Sequence, residues 1–299
     1  MRAPTELPDD AAGAPAPSGR GGGTALAAVG LAAGFASSFL GIGGGLIIVP
    51  ALTVFRGFPL KRAIGTSLGA IVLIAAIGVA TESWVKPDNI HWLAVAGLTA
   101  GSLVGSWIGA ALLARIPTAP LRWLLICLLV LAAARLAGVL NPGSGSHPLA
   151  DSSSGAGMAA LAALGVGAGI SSSMFGIGGG VIAVPGMMIL FEHFAFHGAR
   201  ATSLAMIVPT SVFGVLLHER MKTVEWPAVR AILPAACIGA ILGVIAANRL
   251  PEAPLRYIFA IYLMVASWRL LAGGRGHGAR RLPADGGGDV REGTPPAAS

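Results

Sequence analysis

The chain has 299 residues, of which 55% are hydrophobic and only 11% charged, and its mean hydropathy is +0.77. A soluble domain carries roughly 25% charged residues, so this composition excludes an ordinary soluble globule, a disordered chain and a nucleic-acid-binding module, and leaves an all-α, polytopic integral membrane protein. The net charge of +7 fits lysines and arginines collected in cytoplasmic loops and tails.

Residues 1–23, with Pro4, Pro8, Pro15, Pro17 and a glycine run, read as a disordered tail; no basic region leads into an apolar stretch as a secretory signal would require. The first membrane unit is expected over 24–140. Its opening run, 21–55, has no charged residue or histidine. As one helix it would be about 50 Å long, against a hydrocarbon core of roughly 30 Å, so it must break or fold back. The hinge is Gly41-Ile42-Gly43-Gly44-Gly45, and the short piece after it holds Pro50. Apolar stretches at 63–81, 92–114 and 121–140 follow. A linker is placed at 141–155 and a second membrane unit at 156–272. That unit opens with another uncharged run, 152–191, broken at Gly176-Ile177-Gly178-Gly179-Gly180 and followed by Pro185. Stretches 199–217, 228–248 and 255–272 complete it, before a second disordered tail, 273–299. Counting the hairpin arms gives eight to ten transmembrane segments. Cys127 and Cys237 stand alone in apolar stretches and imply neither a disulfide nor a metal site; no cofactor is implied.

The halves repeat. An offset of 135 superposes Gly34–Pro50 on Gly169–Pro185 with eleven of seventeen residues identical. Ala63, Thr66, Ser67 and Leu68 then match Ala199, Thr202, Ser203 and Leu204, and Ala119–Arg122 matches Ala253–Arg256. This is an internal duplication of about five hydrophobic segments per copy. An odd count would make the second copy enter from the opposite face, an inverted repeat, whereas a parallel four-plus-four arrangement follows if one stretch per half stays out of the membrane; Gly/Pro-interrupted segments at equivalent places point to a transporter's binding site. With both termini cytoplasmic, only Lys86, Arg135, Arg200, Arg249 and Arg256 of twenty basic residues fall outside, in keeping with the positive-inside bias.

A glycine break ahead of a helix leaves N–H groups without intrahelical partners at the positive end of the helix dipole, an arrangement that attracts anions. The candidate substrate-binding residues are therefore Gly41, Gly43, Gly44, Gly45, Gly176, Gly178, Gly179 and Gly180. The hydroxyls of Ser37, Ser38, Ser172 and Ser173, and of Thr66, Ser67, Thr202 and Ser203, join them. Gly101, Gly105 and Gly109, partly echoed by Gly239 and Gly243, read instead as a close-packing ladder. Arg135 and Arg269 are expected to snorkel. Glu82, His91, Glu192, His193, His197, His218 and Glu219 lie near segment ends and read as interfacial loop residues, and the tryptophans mainly as interface anchors. No phosphate-loop Lys-Ser/Thr follows the glycines, so transport would draw on an ion or substrate gradient, with a proton or sodium as coupling ion. A passive anion channel, or an intramembrane enzyme using one of the serines, are the alternative readings; the enzyme lacks a mid-segment histidine to serve as base.

The doubled pattern Gly-x-x-Ser-Ser-x-x-Gly-Ile-Gly-Gly-Gly-x-Ile-x-Val-Pro, followed by Ala-x-x-Thr-Ser-Leu, resembles the sulfite exporter TauE/SafE family, also called the 4-toluenesulfonate uptake permease family. The resemblance covers about 24–272. It implies a bacterial inner-membrane permease for small sulfur-containing or organic anions, as exporter or importer, with no catalytic role. The second copy departs by Ala201 in place of Gly65 and by Pro209 within its third segment.

Overall fold

The computed structural model describes residues 22–115, 152–191 and 194–273, with isolated helical positions between 123 and 134. Arg135, His147, Glu192, His193 and His277, the side chain of Arg269, both tails and most of the linker lie outside the described residues. Among those described, the chain forms α1 (Gly22–Leu40), α2 (Gly45–Arg56), α3 (Leu60–Val85), α4 (Trp92–Arg115), α5 (Gly155–Phe175), α6 (Gly180–Leu190), α7 (Phe196–Arg220), α8 (Trp226–Arg249) and α9 (Glu252–Gly273). Five of these, α3, α4, α5, α7 and α8, are long and apolar enough to cross a membrane.

Local chemistry sets the boundaries. Gly57, left-handed at φ 65°, ends α2 and returns its N–H to the Leu52 carbonyl. Ser154 caps α5 by accepting the Gly157 N–H at 3.0 Å. Pro227 opens α8, where a missing N–H costs nothing. Leu73, Val104, Ile238, Leu242, Ile261 and Val265 stay exposed within their helices, giving the apolar exterior that lipid requires.

The contacts fix the direction of each helix. The head of α3 meets the head of α8 through Arg62 and Glu225 (3.1 Å), and α1 runs beside α8 with Gly30 on Ile232 and Gly34 on Ala236. Since α2 delivers the chain to the head of α3, α1 and α2 form a hairpin that returns to the side it started from. At 12 residues, α2 is about 18 Å long, too short to span the core. The second copy does the same from the other side. There α5 starts beside the head of α4, with Gly97 against Met158 and Leu161. Its hairpin then returns the chain to α7, whose Thr202 hydroxyl takes the His91 N–H at the head of α4. The equivalent helices α3 and α7 run antiparallel, the end of one at the start of the other. The two copies are thus inverted repeats about a pseudo-two-fold axis, as the odd segment count requires.

Small residues make the reciprocal pairings α1–α8 and α4–α5 close. A Cβ on Gly101 would lie 1.8 Å from the Ala162 carbonyl oxygen, and one on Gly105 2.1 Å from that of Val166; Gly239 and Gly243 sit on α1 in the same way. The ladder is a packing device. Gly101→Leu is expected to cost about 1–3 kcal/mol or more by overpacking, read as a lower Tm in detergent. Gly167→Ala, whose Cβ would meet only an Ile182 methyl at 3.9 Å, should leave Tm unchanged or raised. The Gly65/Ala201 departure is also packing. A methyl at 65 would crowd Thr223 at 2.8 Å, whereas Ala201 packs in an apolar group with Ile90, Val95 and Ala205.

Candidate functional site

The two glycine hinges meet at the pseudo-two-fold axis. Both repeat one backbone sequence: left-handed, ordinary, left-handed, left-handed, with φ of 75° at Gly41, 87° at Gly43 and 74° at Gly44, and 66°, 91° and 84° at Gly176, Gly178 and Gly179. Side chains rarely adopt that conformation. The hinges touch backbone to backbone. A Cβ on Gly45 would fall 1.7 Å from the Gly176 carbonyl oxygen and one on Gly180 2.0 Å from that of Gly41, while Gly43 and Gly178 face each other across the axis. All ten hinge residues are buried. The hinges therefore do not flank an open gap; they form two half-sites on either side of a sealed glycine contact.

The candidate hydroxyls divide into two classes by this geometry. Ser67 donates to the Gly176 carbonyl at 2.8 Å and Ser203 to the Gly41 carbonyl at 2.9 Å, so each copy ties down the other copy's hinge. Thr66 accepts the Glu225 N–H and Thr202 that of His91, fastening the turns that lead into α8 and α4. Ser37, Ser38, Ser172 and Ser173 differ. They are fully buried and their hydroxyls have no hydrogen-bond partner. Ser37 lies against Gly44, its Cβ 3.3 Å from where a Gly44 Cβ would be. Among the described residues, the backbone hydrogen bonds outside the helices do not use the N–H of Gly43, Gly44, Gly178 or Gly179. At the first hinge the unpaired Ser37 hydroxyl thus lies beside Gly44 at the head of α2, and Ser172, also unpaired, holds the equivalent position in the second copy. A buried polar group left unpaired costs about 1–3 kcal/mol, and such groups concentrate where a ligand completes them.

Sequence reasoning missed a second feature. Arg200, counted there among the cations on the outer side, and Glu82, placed near a segment end, are both fully buried and form an ion pair, Arg200 Nη2 to Glu82 Oε2 at 2.6 Å. Arg200 Nη1 also donates to the Ser38 carbonyl at 2.8 Å. Glu82 is held further by Asn89 Nδ2 at 2.7 Å and Asn248 Nδ2 at 3.0 Å. His218, also read as interfacial, is buried, with its ring nitrogens on Thr223 Oγ1 (3.0 Å) and the Ser173 carbonyl (3.1 Å). The repeat held the signal: at the offset of 136 that matches Ala63 with Ala199, Glu82 aligns with His218, and Arg200 with Ile64. Lys86 and Arg249 are exposed, as loop cations should be.

The chain matches the family described as Sulfite exporter TauE/SafE over residues 4–136 and 161–297. It is similar to two proteins of Bacillus subtilis described as probable membrane transporter proteins. One, YunE, is 28% identical over 82% of this chain and 96% of its own length. The other, YdhB, is 29% identical over 80% of this chain and 95% of its own. A protein of Methanocaldococcus jannaschii with the same description, MJ0441, is 30% identical over 66% of this chain and 73% of its own length. No solved structure matches the chain.

Proposed function

The chain belongs to the sulfite exporter TauE/SafE family, and on that premise we propose that it is a multi-pass secondary permease for small sulfur-containing or organic anions, such as sulfite and sulfonates, across the bacterial inner membrane, with both termini cytoplasmic. One observation carries the reading beyond the family. Each inverted half carries buried serine hydroxyls without partners, Ser37 against the first hinge and Ser172 at the equivalent place in the second copy, and among the described residues no backbone carbonyl outside the helices takes the N–H of Gly43, Gly44, Gly178 or Gly179. Donors of this kind bind an oxyanion through dipoles, favoured further by the N-terminal ends of α2 and α6. Where such dipoles hold the anion without a cation, as at the second hinge, where Ile64 takes the place Arg200 has at the first, the passenger is released more readily than from a fixed ion pair, which suits a carrier. The sealed contact between the hinges corresponds to an occluded arrangement, with one half-site belonging to each membrane face.

The enzyme alternative finds no support around the serines. A nucleophilic hydroxyl needs a base within hydrogen-bond reach, and among the described residues the buried His218 engages the Ser173 carbonyl and not its hydroxyl.

The test is flux of radiolabelled sulfite, and separately of a sulfonate, in vesicles reconstituted with purified protein. The Ser37→Ala/Ser172→Ala double variant should keep its Tm within about 2 °C, because no hydrogen bond within the protein is lost, yet carry at least about tenfold less anion, the 1.4 kcal/mol equivalent of one lost donor per half-site. Ser67→Ala should do the reverse in stability, losing about 1 kcal/mol. Undiminished flux in the double variant, with every tested anion, removes the hydroxyls from the pathway. Uphill flux under an imposed proton or sodium gradient separates a carrier from a channel.

A further inference from the structure

The two half-sites are built alike except for charge. Against the first hinge lies Arg200: a Cβ on Gly41 would meet its Cγ at 2.9 Å, and its Nη1 holds the Ser38 carbonyl. Against the second hinge the same place holds Ile64, whose Cα lies 3.1 Å from where a Gly176 Cβ would be. Among the described residues only the first half-site therefore carries a cation, and that cation is fully buried with its Nε unpaired. The guanidinium is a planar fork suited to two oxygens of one oxyanion. Here it has spent Nη2 on Glu82 and Nη1 on a carbonyl, while a further donor beside Nη2 stays unused. Glu82 in turn does not depend on Arg200 alone, since Asn89 and Asn248 supply amide donors to its two oxygens.

Resting on the anion-permease reading above, we propose that Arg200 is the anion-selecting residue of the first half-site and that Glu82 is a tethered stand-in for the transported anion. In the anion-free arrangement the Glu82 carboxylate occupies the guanidinium and keeps that side closed. An arriving sulfite or sulfonate takes the fork, including Nε, and Glu82 swings away while keeping its two asparagine donors, so neither charge is left without partners. The second half-site, with Ile64 and no cation, holds the anion by hydroxyls and amides alone and releases it. Charge asymmetry between otherwise equivalent halves thus makes one face the tighter-binding one.

The test uses the full-length protein in detergent and reads Tm in sodium sulfite, sodium methanesulfonate and sodium chloride against sodium gluconate at equal ionic strength. Glu82→Gln removes the stand-in and leaves Arg200 open. Sulfite or methanesulfonate at saturating concentration should then raise Tm by about 5 °C, as ligand at a hundredfold excess over Kd does, and by more than in the wild type. Glu82→Gln/Arg200→Gln should lose that response. Asn248→Ala, which loosens Glu82 without removing a charge, should respond between wild type and Glu82→Gln. Recovery of folded Glu82→Gln only in the presence of an oxyanion also supports the proposal. It is overturned if Glu82→Gln and Asn248→Ala respond to every anion no more than the wild type does, or if the double variant responds as strongly as Glu82→Gln. Wild-type vesicles that carry no anion would instead refute the permease reading, whereas wild-type flux with an anion-insensitive Glu82→Gln refutes this proposal alone.

Discussion

Gly44→Val and Gly179→Val should each reduce anion flux in reconstituted vesicles to below about a tenth of wild type while the protein still inserts in the membrane. Two independent costs converge on these positions. Both residues are left-handed, with φ of 74° and 84°, where an ordinary side chain costs about 1–2 kcal/mol and a β-branched one is a genuine outlier. There is also no room: a Cβ at Gly44 would lie 2.8 Å from the Ala33 carbonyl oxygen, and one at Gly179 2.7 Å from that of Ala168. The chain must move the head of α2 or α6, and with it the amides and the adjacent Ser37 that make up the half-site. Gly57→Ala is the control. It is left-handed as well, but a Cβ there meets nothing within 4 Å, so it should lose about 1 kcal/mol of stability and no transport. Equal loss of flux in all three variants would trace the effect to backbone strain and not to the hinge. Unchanged flux in Gly44→Val and Gly179→Val would take the hinges out of the mechanism.

The architecture was legible because length and periodic repetition are properties of the chain alone. Thirty-five uncharged residues cannot be one span, and the break falls where glycines permit a reversed φ. The 135-residue offset then forces two equivalent hinges. Inversion followed from parity and is realised in the antiparallel α3 and α7. The buried polar pair was not legible by the same rule, because uncharged runs were used to bound the segments. That rule ends the third segment at 81, leaving Glu82 just outside it, and begins its equivalent at 199, so Arg200 reads as the second residue of a segment at the membrane surface. In the fold α3 continues to Val85 and α7 starts at Phe196, and inversion brings those two termini together. A charge permitted inside the membrane only when paired becomes readable once each half's unmatched residue is compared across the repeat, Glu82 with His218 and Arg200 with Ile64. Nor was the split among hydroxyls visible. Ser67 and Ser38 look equivalent as sequence, and only the packing of one hinge against the other copy shows that Ser67 is committed to the Gly176 carbonyl and Ser38 to nothing.

Arg200→Met should be strongly destabilising, and pairing it with Glu82→Gln should restore much of the loss. Both groups are out of contact with solvent, so removing the guanidinium strands a carboxylate that Asn89 and Asn248 can solvate but not neutralise. Breaking one side of a buried pair costs about 3–5 kcal/mol, whereas replacing both partners by neutral groups is often close to neutral. Methionine keeps most of the arginine stem's packing against Gly41, so the cycle isolates charge from volume. The measurement is Tm of the two single variants and the double variant in detergent with gluconate as the counter-anion. The expected coupling is about 2 kcal/mol or more, within the range found for residues in one network. Additive losses would mean that the Ser38 carbonyl and the two asparagines already satisfy Arg200 and Glu82 separately, and that the 2.6 Å contact between them does not hold the two halves together at this face.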